Sequence, residues 1–228
     1  MYVEVIMKNW EKIYETETKI LDKLGKLNLP ITVSGSTALS RGYFNHRDSE
    51  GLELFLDEFS KESLEKVLSS LKESFDIISE DETNRWEKTY KIRCRKVTVK
   101  DNFITYPVVI CENPFKDIFE KVKMERGLYL DSIEGIYTKL ILDVIENPHD
   151  YLKWFDIANI DNEYHLIDFA DDVKEKVGLD KSLLIQAINE ALENFNTFEL
   201  QRLFTEYGIN VSPSVMRKWL EAKKEELS

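Results

Sequence analysis

Residues 31–55, ITVSGSTALSRGYFNHRDSEGLELF, are the stretch in which residue type and spacing together point to a fold and to a chemistry. The β-branched start Ile31-Thr32-Val33 predicts a strand that runs into the turn Gly35-Ser36-Thr37, and Ala38 to about Phe44 continues as a short helical piece. Free N–H groups at such a helix start, with the helix dipole behind them and the hydroxyls of Ser36 and Thr37 beside them, make a seat for a phosphate. After the polar turn His46-Arg47-Asp48-Ser49-Glu50-Gly51, the run Leu52-Glu53-Leu54-Phe55-Leu56 predicts a second strand, this one carrying an acid. A phosphate seat beside an acid-bearing strand is half of a metal-nucleotide site.

The stretch resembles the first motif of the AbiEii/AbiGii-type nucleotidyltransferases, proteins of the polymerase-β-like nucleotidyltransferase superfamily often found as toxins of toxin–antitoxin pairs. Their pattern is Gly-Gly-Thr-Ala-Leu, then His-Arg-x-Ser, then Asp-hydrophobic-Asp on a strand. Thr37-Ala38-Leu39, His46-Arg47 and Ser49 fall on it without a gap, whereas Gly51 and Glu53 stand at the two aspartate positions. The resemblance implies an α/β (α+β) fold, a nucleotidyltransferase-like mixed sheet flanked by helices over residues 1–127, followed by a helical domain over 128–228. It also implies an NTP as donor, Mg²⁺ wherever the site is active, and an RNA or a cognate protein as partner.

The two departures bear on the chemistry. Residues two apart in a strand point to the same side, so an Asp-x-Asp pair aims two carboxylates at one spot, where metal ions could orient a triphosphate and activate the attacking hydroxyl. Gly51 offers no side chain, and Glu53 keeps one carboxylate that is a methylene longer. Asp48 and Glu50 are open candidates to reach in from the turn. The resemblance places a third metal-binding aspartate on the strand around Tyr106-Pro107-Val108-Val109-Ile110-Cys111-Glu112, where its counterpart is Val109; Glu112 is the one carboxylate left there. It further aligns Lys139 with a lysine that approaches the nucleotide, and Lys153-Trp154-Phe155-Asp156 with part of a later basic-acidic element. On this basis Glu53 is the candidate metal ligand, Glu53 and Lys139 are the candidate catalytic residues, and Gly35, Ser36, Thr37, Arg47 and Lys139 are the candidate nucleotide contacts. Lys139 has the alternative of snorkelling out of an apolar helix, and His46 reads as a structural hydrogen-bonding residue in preference to a general base or ligand.

The chain has 228 residues, 43% hydrophobic and 11% aromatic, enough for a substantial core. Its net charge of −12 argues against broad, nonspecific binding to nucleic acid, which depends on neutralising phosphates. No apolar run is long enough to cross a membrane, and the start lacks the basic-then-apolar layout of a secretion signal. Cys94 and Cys111 are too few for a disulfide framework and lack zinc-type spacing, so they are expected as reduced thiols buried in strands of a cytoplasmic protein.

Around the motif, apolar spacing predicts a helix from about Lys8 to Lys26, another after Ser60, and a strand from Phe75 to Ser79. Residues 86–100 and 103–112 read as a hairpin turning at Asp101-Asn102. Lys91, Arg93 and Arg95 share one side of it, as a solvated face or a phosphate or RNA track. The basic parity then passes to Val97 and Val99, which predicts a bulge near Lys96. Pro107 marks an edge strand or an edge position. Asp131 is the expected cap of a helix spanning Ile133 to Ile145. The remainder reads as helices punctuated at Gly178, Asp180, Gly208 and Ser212-Pro213. The aromatic series Trp154, Phe155, Phe169, Phe195, Phe198 and Phe204 reads as core in preference to a base-stacking platform.

Three functional readings follow: a nucleotidyltransferase-fold pseudoenzyme binding a nucleotide weakly or an RNA or protein partner; an active Mg²⁺-dependent nucleotidyltransferase; and an unrelated α/β interaction module.

Overall fold

The computed structural model describes residues 8–124 and 127–228, with the side chains of 167–170 and 172–173, Phe169 among them, outside the description. The helix expected first is α1 (Trp10–Leu24), capped by Asn9, whose side chain accepts from Lys12 N, and it buries Ile13, Ile20, Leu21 and Leu24. Strand β1 (Ile31–Ser34) runs into α2 (Gly35–Leu39), a single turn that continues as a π-helical turn to Phe44. Strand β2 (Leu52–Leu56) follows, then α3 (Lys61–Lys72) with Ser60 as its cap. Next come β3 (Asp76–Arg85), β4 (Ile92–Asp101), β5 (Ile104–Glu112), β6 (Lys121–Lys123) and β7 (Tyr129–Asp131). The rest is helical: α4 (Ile133–Glu146), α5 (Tyr151–Asp161), α6 (Leu166–Val177), α7 (Lys181–Glu193), α8 (Thr197–Glu206) and α9 (Pro213–Leu227).

The strands form one mixed sheet in the order β3-β4-β5-β2-β1-β7-β6. Strand β1 is antiparallel to β2 and parallel to β7, and β2 is parallel to β5. This is the α/β architecture expected, and it puts the motif strands at its centre. Strand β7 lies in the sheet, so the sheet extends past residue 127 before the helical half begins. Helix α4 is buried on nearly all sides, from Gly135 to Ile145. A helix apolar all round belongs in a core, and its polar side chains must then find partners inside the protein.

The hairpin turns one residue later than its sequence suggests. Asp101 pairs with Ile104 around Asn102-Phe103, and Asn102 takes a left-handed φ of 56°. That shift moves the partner of Cys94 from Val109 to Cys111, and the two cysteines, expected as free thiols, are joined in a disulfide with Cα atoms 4.1 Å apart. The first strand of the hairpin begins at Ile92, not Trp86, because Trp86 and Lys91 both take positive φ and form a loop. No bulge occurs near Lys96: pairing from Cys94↔Cys111 to Asp101↔Ile104 is unbroken. Burial passes from Ile92 and Cys94 to Val97 and Val99, on the opposite face of the strand. The register shift lies instead in β3, between Ile77 and Ser79.

Strand β5 is interior, yet Pro107 sits at an edge position within it, since β2 pairs with β5 only from Val108 onward. Ser132, not Asp131, caps α4, accepting from Gly135 N. Of the aromatic series, Trp154, Phe155 and Phe204 are core, whereas Phe198 is exposed.

Candidate functional site

Three ionic centres surround the motif, the first half-buried and the other two buried. The first is built on Glu53. Its strand lies between β1 and β5, with Ser34 as its partner on one side and Val109 on the other. The carboxylate is directed over Gly35, which turns out of β1 with a φ of +73°. Glu53 Oε2 accepts from Arg85 Nη2 at 2.6 Å, and Oε1 accepts from Lys153 Nζ. Arg85 stands at the end of β3 and Lys153 in the first turn of α5.

Asp143 of α4 completes this centre. Its Oδ1 accepts from Arg85 Nε at 2.9 Å and from Trp86 Nε1 at 2.7 Å, and its Oδ2 lies 3.2 Å from Lys153 Nζ. Burial opposes ionisation of Glu53, but the Arg85 and Lys153 charges outweigh it and hold the carboxyl at about 2. The same exchange, against burial, pushes both cations above their ordinary values.

The second centre is Lys139. It is almost fully buried, its ammonium bonded to Asp131 Oδ2, which also accepts from Ser34 Oγ at 2.7 Å. Burial lowers the Lys139 pKa, with Asp131 opposing. The ammonium lies 4.7 Å from the Phe55 ring centre. Gly135 makes room for the acid, since a Cβ there would come within 2.3 Å of Asp131 Oδ1. Lys139 therefore faces an internal acid and does not snorkel.

The third centre is Asp156, fully buried. Arg47 donates from Nε and Nη2 to its two oxygens at 2.7 and 2.8 Å, and His46 Nε2 lies 2.7 Å from Oδ1. Arg47 Nη1 donates to the Asp48 carbonyl at 2.8 Å. Asp156 is destabilised as an anion by burial, yet Arg47 and His46 pull its pKa far below the usual carboxylate range. His46 makes a hydrogen bond to Asp156, the structural role its sequence context favours.

Within the turn itself, Thr37 Oγ1 lies 2.9 Å from Ser49 Oγ and donates to Gly51 O at 2.7 Å, tying α2 to the loop before β2. Ser36 Oγ is buried without a partner among the described residues. Of the site residues expected from sequence, Gly35 and Glu53 come into contact. Arg47 and Lys139 are placed in the two neighbouring ion clusters. Glu112, at the end of β5, pairs with Arg93 on the surface.

The Mg²⁺ that the motif resemblance implies does not fit these residues. Gly51 has a φ of +92° and no side chain, Val109 is apolar, and both Glu53 oxygens are engaged by nitrogen cations. Among the described residues, no group of three or more His, Cys, Asp or Glu is placed to hold a metal ion. Two cavities, about 400 Å³ beside Phe59 and Leu64 and about 540 Å³ beside Trp10 and Leu203, are lined by neither Glu53, Arg85 nor Lys153.

Sequence reasoning missed Arg85, Asp143 and the pairing of Lys153 with Glu53. Asp143 carried a usable signal: it lies four residues after Lys139 inside an apolar helix, where an acid requires a buried counter-charge. Arg85 carried none, because it ends a polar strand.

No protein-family model matches this sequence, and no curated protein matches it. Among solved structures, the chain is similar to a protein described as a "putative nucleotidyltransferase from H. pylori", at 20% identity with a TM-score of 0.51, covering 100% of this chain and 99% of that one. It is also similar to JHP933 from Helicobacter pylori, at 17% identity and a TM-score of 0.48, covering 96% and 97%. At such identity the first likeness speaks to the fold, which is nucleotidyltransferase-like.

Proposed function

We propose that this chain is a nucleotidyltransferase-fold protein, AbiEii-like in its motif stretch, that does not transfer nucleotides and acts by binding an RNA or protein partner. Any nucleotide it takes, it binds weakly. The observation that carries this reading is the engagement of Glu53. The one carboxylate retained from the metal-binding set is neutralised by Arg85 and Lys153, and the neighbouring positions are Gly51 and Val109. Transfer chemistry of this class needs carboxylates free to hold a cation against a triphosphate. A carboxylate already saturated by an arginine and a lysine is a poor ligand for magnesium, which demands oxygen donors in near-octahedral geometry.

The deciding experiment is thermal unfolding with each NTP, with and without Mg²⁺ or Mn²⁺, alongside transfer of labelled NTP onto RNA. A ligand that binds only the folded state must raise the midpoint. The reading expects no metal-dependent rise and no label transferred. Metal-dependent labelling of RNA or protein that is lost in Glu53→Gln would overturn it and establish an active Mg²⁺-dependent enzyme.

A further inference from the structure

Glu53 and Asp143 face a common half-buried space, and two carboxylates there repel each other unless positive charge lies between them. Here the chain itself supplies that charge. Arg85 Nη2 reaches Glu53 Oε2 at 2.6 Å and Asp143 Oδ2 at 2.5 Å. Lys153 Nζ contacts Glu53 Oε1 and lies 3.2 Å from Asp143 Oδ2. Both acids are therefore bridged by both cations, in a closed ring of alternating sign whose charges cancel. Carboxylates bridged in this way have the charge layout of a two-cation centre, with nitrogen cations supplying the positive charge.

We infer that Arg85 and Lys153 are built-in counter-ions that stand in for divalent cations, and that Glu53 with Asp143 is a latent divalent-cation site which opens when they are removed. The inference rests on the reading proposed above and assigns these two residues their part in it. A divalent cation entering the intact ring would add two uncompensated charges to a half-buried space. With both nitrogen cations gone, two carboxylates are left facing each other with no positive charge between them, the complement of one divalent ion.

The scaffold holds both acids in place without Arg85 and Lys153. Glu53 is fixed by pairing of its strand on both sides, and Asp143 keeps its bond from Trp86 Nε1 at 2.7 Å. The Arg85 guanidinium lies 5.1 Å from the Trp86 ring centre, so methionine, a flexible apolar chain that is shorter than arginine, can pack against the same ring and fill part of its place.

The test is Mn²⁺ binding, read from the spin-resonance signal of free Mn²⁺, in the parent protein, in Arg85→Met/Lys153→Met, and in that variant carrying Glu53→Gln as well. The double variant is expected to bind Mn²⁺ at least about tenfold more tightly than the parent, with the gain lost on adding Glu53→Gln. A double variant with native near-ultraviolet circular dichroism that binds no better than the parent overturns the inference. If that variant does not fold, Lys153→Met alone, which leaves one net negative charge, is expected to bind about threefold more tightly, and an unchanged affinity overturns the inference equally. Mn²⁺ binding by the parent that depends on Glu53 would sink the no-transfer reading and this inference together. No gain in a folded variant, with no binding by the parent, would sink this inference alone.

Discussion

The Glu53 carboxylate lies over the α-carbon of Gly35, so close that a Cβ at Gly35 would come within 2.4 Å of Glu53 Cδ. The space above the turn that resembles a phosphate seat is thus taken by a side chain of the neighbouring strand. Gly35 is required there twice, for its φ of +73° and for the absence of a Cβ.

Gly35→Ala is therefore expected to destabilise the protein by about 1–3 kcal/mol, through backbone strain and the clash with Glu53. Combining it with Glu53→Ala removes the clash and leaves the strain. Urea denaturation of both single variants and the double variant should give a coupling energy of at least about 0.5 kcal/mol. Strict additivity would mean that the two residues do not meet.

Acid should loosen the Glu53 centre within a defined window. The folded-state value of Glu53 is depressed from 4.5 to about 2, so its contribution is complete above the unfolded value and is lost as pH falls through the folded one. Asp156 is depressed in the same sense and adds to the effect. Denaturation midpoints of the parent should fall as pH drops below about 4.5, and Glu53→Gln should flatten part of that slope. Parallel curves for the two proteins would remove Glu53 from the account.

The Arg47–Asp156 pair is wholly internal. Asp156→Ala strands a buried guanidinium and removes the partner of His46, and is expected to cost about 3–5 kcal/mol. Far-ultraviolet circular dichroism against urea measures this. A loss under about 1 kcal/mol would show that Arg47 finds water or another acceptor.

The Cys94–Cys111 bridge spans a sequence separation of 17, and closing a loop of that size stabilises a chain by about 3 kcal/mol in the chain-entropy account. Reduction, or Cys94→Ala/Cys111→Ala, should shift the urea midpoint down accordingly. Mass measurement after alkylation without reductant should find no modified cysteine in the oxidised protein. Two alkylated thiols in untreated protein would count against the bridge.

Much of the layout follows from local signals. The turn at Gly35, the caps Ser60, Asp180 and Ser212, and the left-handed glycines 178 and 208 act over a few residues, so the sequence specifies them directly. Val109 is the register partner of Glu53 across the parallel pairing of β2 and β5. The hairpin turn at Asn102-Phe103 differs from its sequence expectation by one residue, and that small difference exchanged the partner of Cys94.

By itself, the sequence determined the strand–turn–helix start, the hairpin of β4 and β5, most of the helices and the absence of side-chain carboxylates at Gly51 and Val109, but not the short strands β6 and β7. Tertiary structure alone decided what each remaining charge faces. Arg85 and Lys153 reach Glu53, and Asp143 reaches those two cations, from a strand end and two helices that come together only in the packed fold. Periodicity reports which face of an element is buried. Coulombic pairing inside a core depends on distances between elements remote in the chain, and these are set only when the core packs.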